Sequence, residues 1–200
     1  MGRYVYVKNC FHWIGYHLVT ALLDEEWTVY AKDPLNTPER EHLSMFLARH
    51  SQFSLLEDEV DKDKIPLIEI RENKDENKVK IHLTTKQGKK VYIDCSSLVG
   101  EWMPMSSTQV LYKCKVQPWE GLKKEEIIEI GVFAGIIIKC LKAAEIPQEI
   151  CLVSRFSKKA SEQNPNIVVS IDSPSTEDIL CSLQEHRSRF NYMYPDIIED

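Results

Sequence analysis

The sequence predicts an α/β fold in three layers, built on a mostly parallel sheet with a β-hairpin inserted in it. Three observations point there. The amino-terminal segment reads strand, tight turn, helix, strand within roughly 30 residues, the span of a parallel βαβ unit. β-rich and helix-periodic runs alternate along the rest of the chain. Between residues 78 and 97, two alternating runs are joined by too few residues for a parallel crossover, so a hairpin is preferred there.

The elements follow in order. Residues 3–8 are rich in Tyr and Val and read as a strand. After a short break, WIGYHLVTALL has the apolar spacing of a helix packed on a sheet, and WTVYAKDP gives a second strand ending at Asp33 and Pro34. Thr37 is placed to cap a helix that opens with Pro38, carries Glu39 and Glu41 in its first turn and ends near His50. FSLLE is a short third strand, and DEVDKDK a solvated surface loop ahead of IPLIEIRE. KVKIHLTTKQGKKVYIDCSS forms the hairpin, with Gly88 in its turn.

Residues 123–146 read as one long helix, acidic at its start and basic toward its end, which complements the helix dipole. Its apolar positions, from Ile127 to Leu141, go most of the way round the helical wheel, so a second apolar surface beyond the sheet is implied. EICLVSRF and NIVVSIDS are two further strands, and Ser175 caps a last helix running through Leu183 and His186. No internal repeat or Gly/Ser linker divides the chain, so a single domain over residues 1–200 is expected.

Composition narrows the functional classes. A net charge of -6 gives no general attraction for nucleic acid or an anionic membrane, so neither is expected as a partner. The amino terminus lacks the apolar core of a signal peptide and no apolar stretch approaches a bilayer span, so a cytoplasmic location is expected. The six cysteines are scattered with no CxxC pair, which reads as buried reduced thiols and no metal. Cys10 alone lies near both a histidine and a helix start, the setting a thiolate nucleophile needs. Trp102, Met103, Met105 and Trp119 crowd a loop region, to line a pocket, form a partner surface or pack a satellite core.

YVYVKNCFHWIGYHLVTALL, followed by a strand ending in an acid, resembles the extended short-chain dehydrogenase/reductases, the family of NAD-dependent epimerases and dehydratases. Their Rossmann-like fold opens with a T-G-x-x-G-x-x-G loop whose last positions read aromatic, Ile, Gly, as Trp13, Ile14 and Gly15 do. With Gly15 on the third glycine, Asn9 and His12 take the places of the first two. The first glycine permits the turn, the second lets backbone approach a pyrophosphate, and the third lets helix pack closely on strand. The resemblance implies that Asn9, His12 and Gly15 mark the cofactor loop and that Asp33 is the ribose-binding acid. KKVYIDCSSLVG resembles the stretch carrying the catalytic serine, which places Ser96 and Ser97 there, and Arg155 falls where a later family strand ends in Arg. The family's Tyr and Lys four residues apart on the following helix have no counterpart, since Phe133 and Ile137 hold that spacing.

Two expectations follow. The first is a non-catalytic Rossmann-like pseudoenzyme without a cofactor, its C-terminal substrate lobe absent or vestigial. It acts through self-association, as a homodimer, or through a protein partner, with the 125–146 helix as the contact. The alternative is an NAD- or NADP-binding reductase or epimerase, or a nucleotide sensor, with an atypical phosphate loop. A small-anion or sugar-phosphate sensor at the helix start near Trp13 is a third reading.

Overall fold

The computed structural model describes residues 2–57, 65–73, 78–95, 97–112, 115–122, 127–154, 168–171 and 174–194. The opening unit folds as its pattern dictates. β1 (Tyr4–Lys8) leads through a turn into α1 (Trp13–Asp24), and β2 (Thr28–Lys32) pairs parallel to β1 in full register. α2 (Pro38–Leu47) is capped by Thr37, whose hydroxyl accepts from the Arg40 N–H, and has proline in its first turn. β3 (Phe53–Leu55) then extends the sheet beyond β2.

β4 (Leu67–Asn73) lies on the other side of β1, so the strand order reverses there. From β4 the chain turns back directly as β5 (Lys78–Thr84), antiparallel, and again as β6 (Lys90–Asp94). The hairpin is thus an integral part of the main sheet. β11 (Glu149–Ser154) and β12 (Val168–Ile171) complete it on the far side of β6, both parallel. The order is β12-β11-β6-β5-β4-β1-β2-β3, and β5 alone of the eight strands runs against the others. This is a Rossmann-like α/β fold with a mostly parallel sheet.

One face of the sheet is uniformly apolar. Val5, Val7, Val29, Ala31, Ile68 and Ile70 continue into Ile81, Leu83, Val91, Ile93, Ile150 and Leu152, and every one is buried in the main core. Alternation in a strand requires this side to be covered. α1, α2 and α3 (Ile130–Lys142) all contribute to that same core. The opposite face carries Tyr4, Tyr30, Lys8, Glu69, Arg71, His82 and Tyr92, and none of them joins a hydrophobic cluster. α1, α2 and α3 thus share one cluster with the apolar face, while Tyr6 is buried on the other face, at 1% exposure.

The long helix is shorter than its periodicity suggested. Residues 123–126 lie outside the described residues, and β10 (Ile128–Glu129) is a strand that pairs parallel with β7 (Leu98–Val99). Glu129 then caps α3, its carboxylate accepting from the N–H groups of Gly131 and Val132. Ile127 and Ile128 are buried as extended chain. On the helix, Phe133, Ala134 and Ile137 are fully buried, with Val132, Ile136 and Leu141 packed against the same core. α1 supplies the second apolar surface that the sequence called for, since both helices share one cluster.

A satellite core lies beyond β7. β8 (Gln109–Tyr112) and β9 (Lys115–Pro118) form a hairpin, followed by a 3-10 turn at Trp119–Gly121. Met103, Met105 and Trp119 are buried there with Ile179 and Leu183 of α4 (Thr176–Arg189). Trp13 and Trp102 pack against both cores and join them. No described helix is long and apolar enough to cross a membrane.

Candidate functional site

The turn between β1 and α1 lies where the strand order reverses, the place where open α/β sheets bind ligands. Asn9 takes the left-handed conformation, φ 57°, which asparagine tolerates better than most side chains. It thereby makes the turn that the first family glycine would make. Its amide nitrogen Nδ2 donates to the Ile70 carbonyl oxygen of β4 at 2.7 Å, and its backbone N–H donates to the Lys32 carbonyl of β2 at 3.1 Å. One residue therefore ties together the three strands around the reversal.

His12 is the N-cap of α1. Its Nδ1 accepts from the Ile14 N–H at 3.3 Å, so the ring proton lies on Nε2, which donates to Glu72 Oε1 at 2.8 Å. This contact exists because β4 runs four residues past Glu69, the partner of Lys8 at the end of β1. The overhang brings the Ile70 carbonyl and the Glu72 carboxylate over the turn.

Asp33, just past β2, has a fully buried carboxylate. Oδ2 accepts from the Phe11 N–H at 2.8 Å, and Oδ1 is ion-paired with Arg40 from the first turn of α2. Burial raises its pKa, opposed by the Phe11 N–H and the Arg40 guanidinium. Both oxygens are thus engaged within the chain.

Gly15 is where the family's third glycine belongs, and close packing requires it. A methyl group there would overlap the Asn9 carbonyl oxygen and lie 3.0 Å from Cys10 Cα. Gly100, which closes the serine stretch, behaves likewise. A methyl group there would overlap Ile130 and approach Trp13 Cζ3 at 3.3 Å. Cys10 is fully buried, and its thiol is pushed well up by burial and by the nearby Asp33 carboxylate, which disfavours a thiolate nucleophile.

Asn9, His12, Gly15 and Asp33 are therefore brought together at one turn. Ser97 is not among them. It follows β6, its carbonyl accepts from the Ile128 N–H, and three strand spacings, about 14 Å, separate β6 from β1. The inserted β5 contributes one of those spacings. Ser96 and Arg155 lie outside the described residues. Phe133 and Ile137 of α3 are buried core with no exchangeable proton.

Sequence reasoning missed Arg40, the Ile70 carbonyl and Glu72, whose partners are distant along the chain. It also missed an aromatic cluster over α2. Trp102 is held at φ 63°, an uncommon conformation for so large a residue, and its N–H donates to the Tyr194 hydroxyl at 2.9 Å. That hydroxyl is hydrogen-bonded in turn to His186 Nδ1 at 2.7 Å. Burial, with His17 and Arg189 nearby, pushes His186 down to about 4, and burial pushes Tyr194 up to about 12. His42, Phe46, Phe190 and Tyr192 complete the cluster, with His42 at 5.3 Å from Trp102 and 6.2 Å from Tyr192 between ring centres. Among the described residues, no three His, Cys, Asp or Glu side chains gather as a metal site.

No protein-family model matches the sequence, and no curated protein matches it. Among solved structures, the chain is similar to yeast methylglyoxal/isovaleraldehyde reductase Gre2 complexed with NADPH. The identity is 16% and the TM-score 0.24, over 96% of this chain and 54% of that one. The chain thus spans about half the length of the reductase. At that score the likeness is too loose to align any residue of this chain with one of the reductase's.

Proposed function

We propose that this is a non-catalytic Rossmann-like protein that acts by binding a protein partner, a second copy of itself included. The observation that carries the reading is the closure of the β1–α1 turn by the chain's own groups. A dinucleotide there needs backbone open to its pyrophosphate and a carboxylate open to its ribose. Here the His12 ring and the Asn9 amide lie across the first, with the Glu72 carboxylate adding like charge to any phosphate. The second is taken up by Phe11 and Arg40. The residues present do not fit NAD or NADP in the family pose.

The buried Phe133 and Ile137, in place of a Tyr and Lys pair, further support a role without hydride transfer. Partner binding draws support from side chains left apolar and exposed. Met45, Phe46 and Tyr192 are 56%, 38% and 71% exposed, and Phe46 and Tyr192 flank His42 in the aromatic cluster. α3 offers less, since most of its apolar positions face α1 and the sheet.

Sedimentation velocity on the purified chain tests the self-association arm. A concentration-dependent dimer, dissociated by Phe46→Glu or by Ile136→Glu, is the expected result and assigns the contact to the α2 cluster or to α3. A strict monomer that binds NADPH at micromolar strength and turns it over would overturn the proposal.

A further inference from the structure

The face of the sheet away from α1 is built for a different purpose from the core face. Strand registers align Lys32, Lys8, Glu69, His82 and Tyr92 in one row across it. Tyr30, Tyr6, Leu67, Thr84 and Lys90 form the next. A groove of about 690 Å³ lies on this face and opens toward the starts of β4 and β6, under the turn that joins β5 to β6. A volume of that size suits a small ligand.

The groove is cationic in a chain of net charge -6. Lys8, Arg71, Lys86 and Lys90 line it, and Glu69 is the one carboxylate among the described residues that do. Arg71 pairs with Glu69 at 2.7 Å, so that acid is offset within the groove, and the exposed Lys86 and Lys90 add positive charge at its rim. The surroundings are felt by His82, whose pKa is lowered by burial and then by the Arg71 and Lys80 cations, against the opposing pull of Glu69. Thr84 and Thr85 bring hydroxyls to the same wall. Tyr92 is 37% exposed and meets the His82 ring edge-on at 4.8 Å, an arrangement that holds the tyrosine ring upright on the sheet.

We propose that this groove binds an organic phosphate carrying a planar ring. Lys86, Lys90 and Arg71 receive the phosphate, and the Tyr92 ring packs against the planar group. An extended acidic peptide would use the same cations, but a concave groove with one aromatic wall suits a compact ligand better than a chain passing across it. The groove is separate from the β1–α1 turn, so the proposal stands independently of whether that turn admits a dinucleotide.

The test is calorimetric titration of the full chain with ADP and, separately, with inorganic pyrophosphate. Saturable ADP binding is expected. Lys86→Glu with Lys90→Glu, two exposed positions, should weaken both probes by about tenfold or more while the melting temperature holds. Tyr92→Ala should weaken ADP several-fold and leave pyrophosphate unchanged. The proposal is overturned by the absence of ADP binding, by binding that the lysine reversals do not move, or by ADP binding lost in Asp33→Ala instead. Poly-glutamate binding that matches ADP and ignores Tyr92→Ala overturns it in favour of a peptide.

Discussion

Substituting Gly15 by alanine isolates the one family glycine that this chain keeps. The added methyl group meets backbone on the turn side, the Asn9 carbonyl and Cys10 Cα, and neither can rotate away. The Asn9 carbonyl is itself held by the His12 N–H. Relief must come from α1 moving off the sheet, which disturbs Ile14, Leu18, Val19 and Leu22, all fully buried. Overpacking of this kind costs about 3 kcal/mol at its upper end, alanine returns about 1 kcal/mol of helix propensity, and a net loss of about 2 kcal/mol remains. Gly135 is the matched control, since a methyl group there meets nothing within 4 Å, and Gly135→Ala should stabilise by up to about 1 kcal/mol. Urea unfolding followed by tryptophan fluorescence measures both, with the slope unchanged. A neutral or stabilising Gly15→Ala would refute the claim that this glycine is kept for packing.

Two further predictions concern titratable groups. His186 is held near 4 in the folded chain against about 6.5 unfolded. Its contribution is therefore fully present above pH 6.5 and is lost as the pH falls toward 4. After discounting for its partial exposure, about 1–2 kcal/mol should disappear across that window, and urea unfolding of His186→Gln should show a correspondingly shallower acid loss. For the thiols, brief alkylation of the native protein mapped by peptide mass should label exposed Cys181 and spare buried Cys10 and Cys95. Rapid labelling of Cys10 at neutral pH would return it to the list of nucleophiles.

Much of the fold was legible because local signals agreed with it. The βαβ opening, the Thr37 cap with Pro38, the hairpin and the Ser175 cap each rest on neighbouring residues, and each appears in place. The start of α3 was hidden because its apolar run fits a helix as well as a strand. Ile128 and Glu129 become a strand through pairing with Leu98 and Val99, some thirty residues earlier. Glu129 accordingly looked like a helix-interior acid when it is the cap.

The candidate site was half legible for a similar reason. The motif placed Asn9, His12, Gly15 and Asp33 at one turn, but what each side chain does there depends on Ile70, Glu72 and Arg40. Nothing in the spacing of LIEIREN indicates that β4 outruns β1 and lays a carbonyl and a carboxylate over the loop. The groove on the other sheet face was equally hidden, since Tyr and Lys alternating with Val in YVYVK read as a strand whatever lies above it.

The closure of the turn is the central claim, and NMR reads it directly. In ¹⁵N-labelled protein, the Asn9 side-chain amide and the Phe11 and Ile14 backbone amides report on its three closing hydrogen bonds. Titration with NADPH to about 1 mM should leave these three signals in place. Their joint, saturable movement, abolished by Asp33→Ala, would mean that the turn opens to a dinucleotide and would contradict the account.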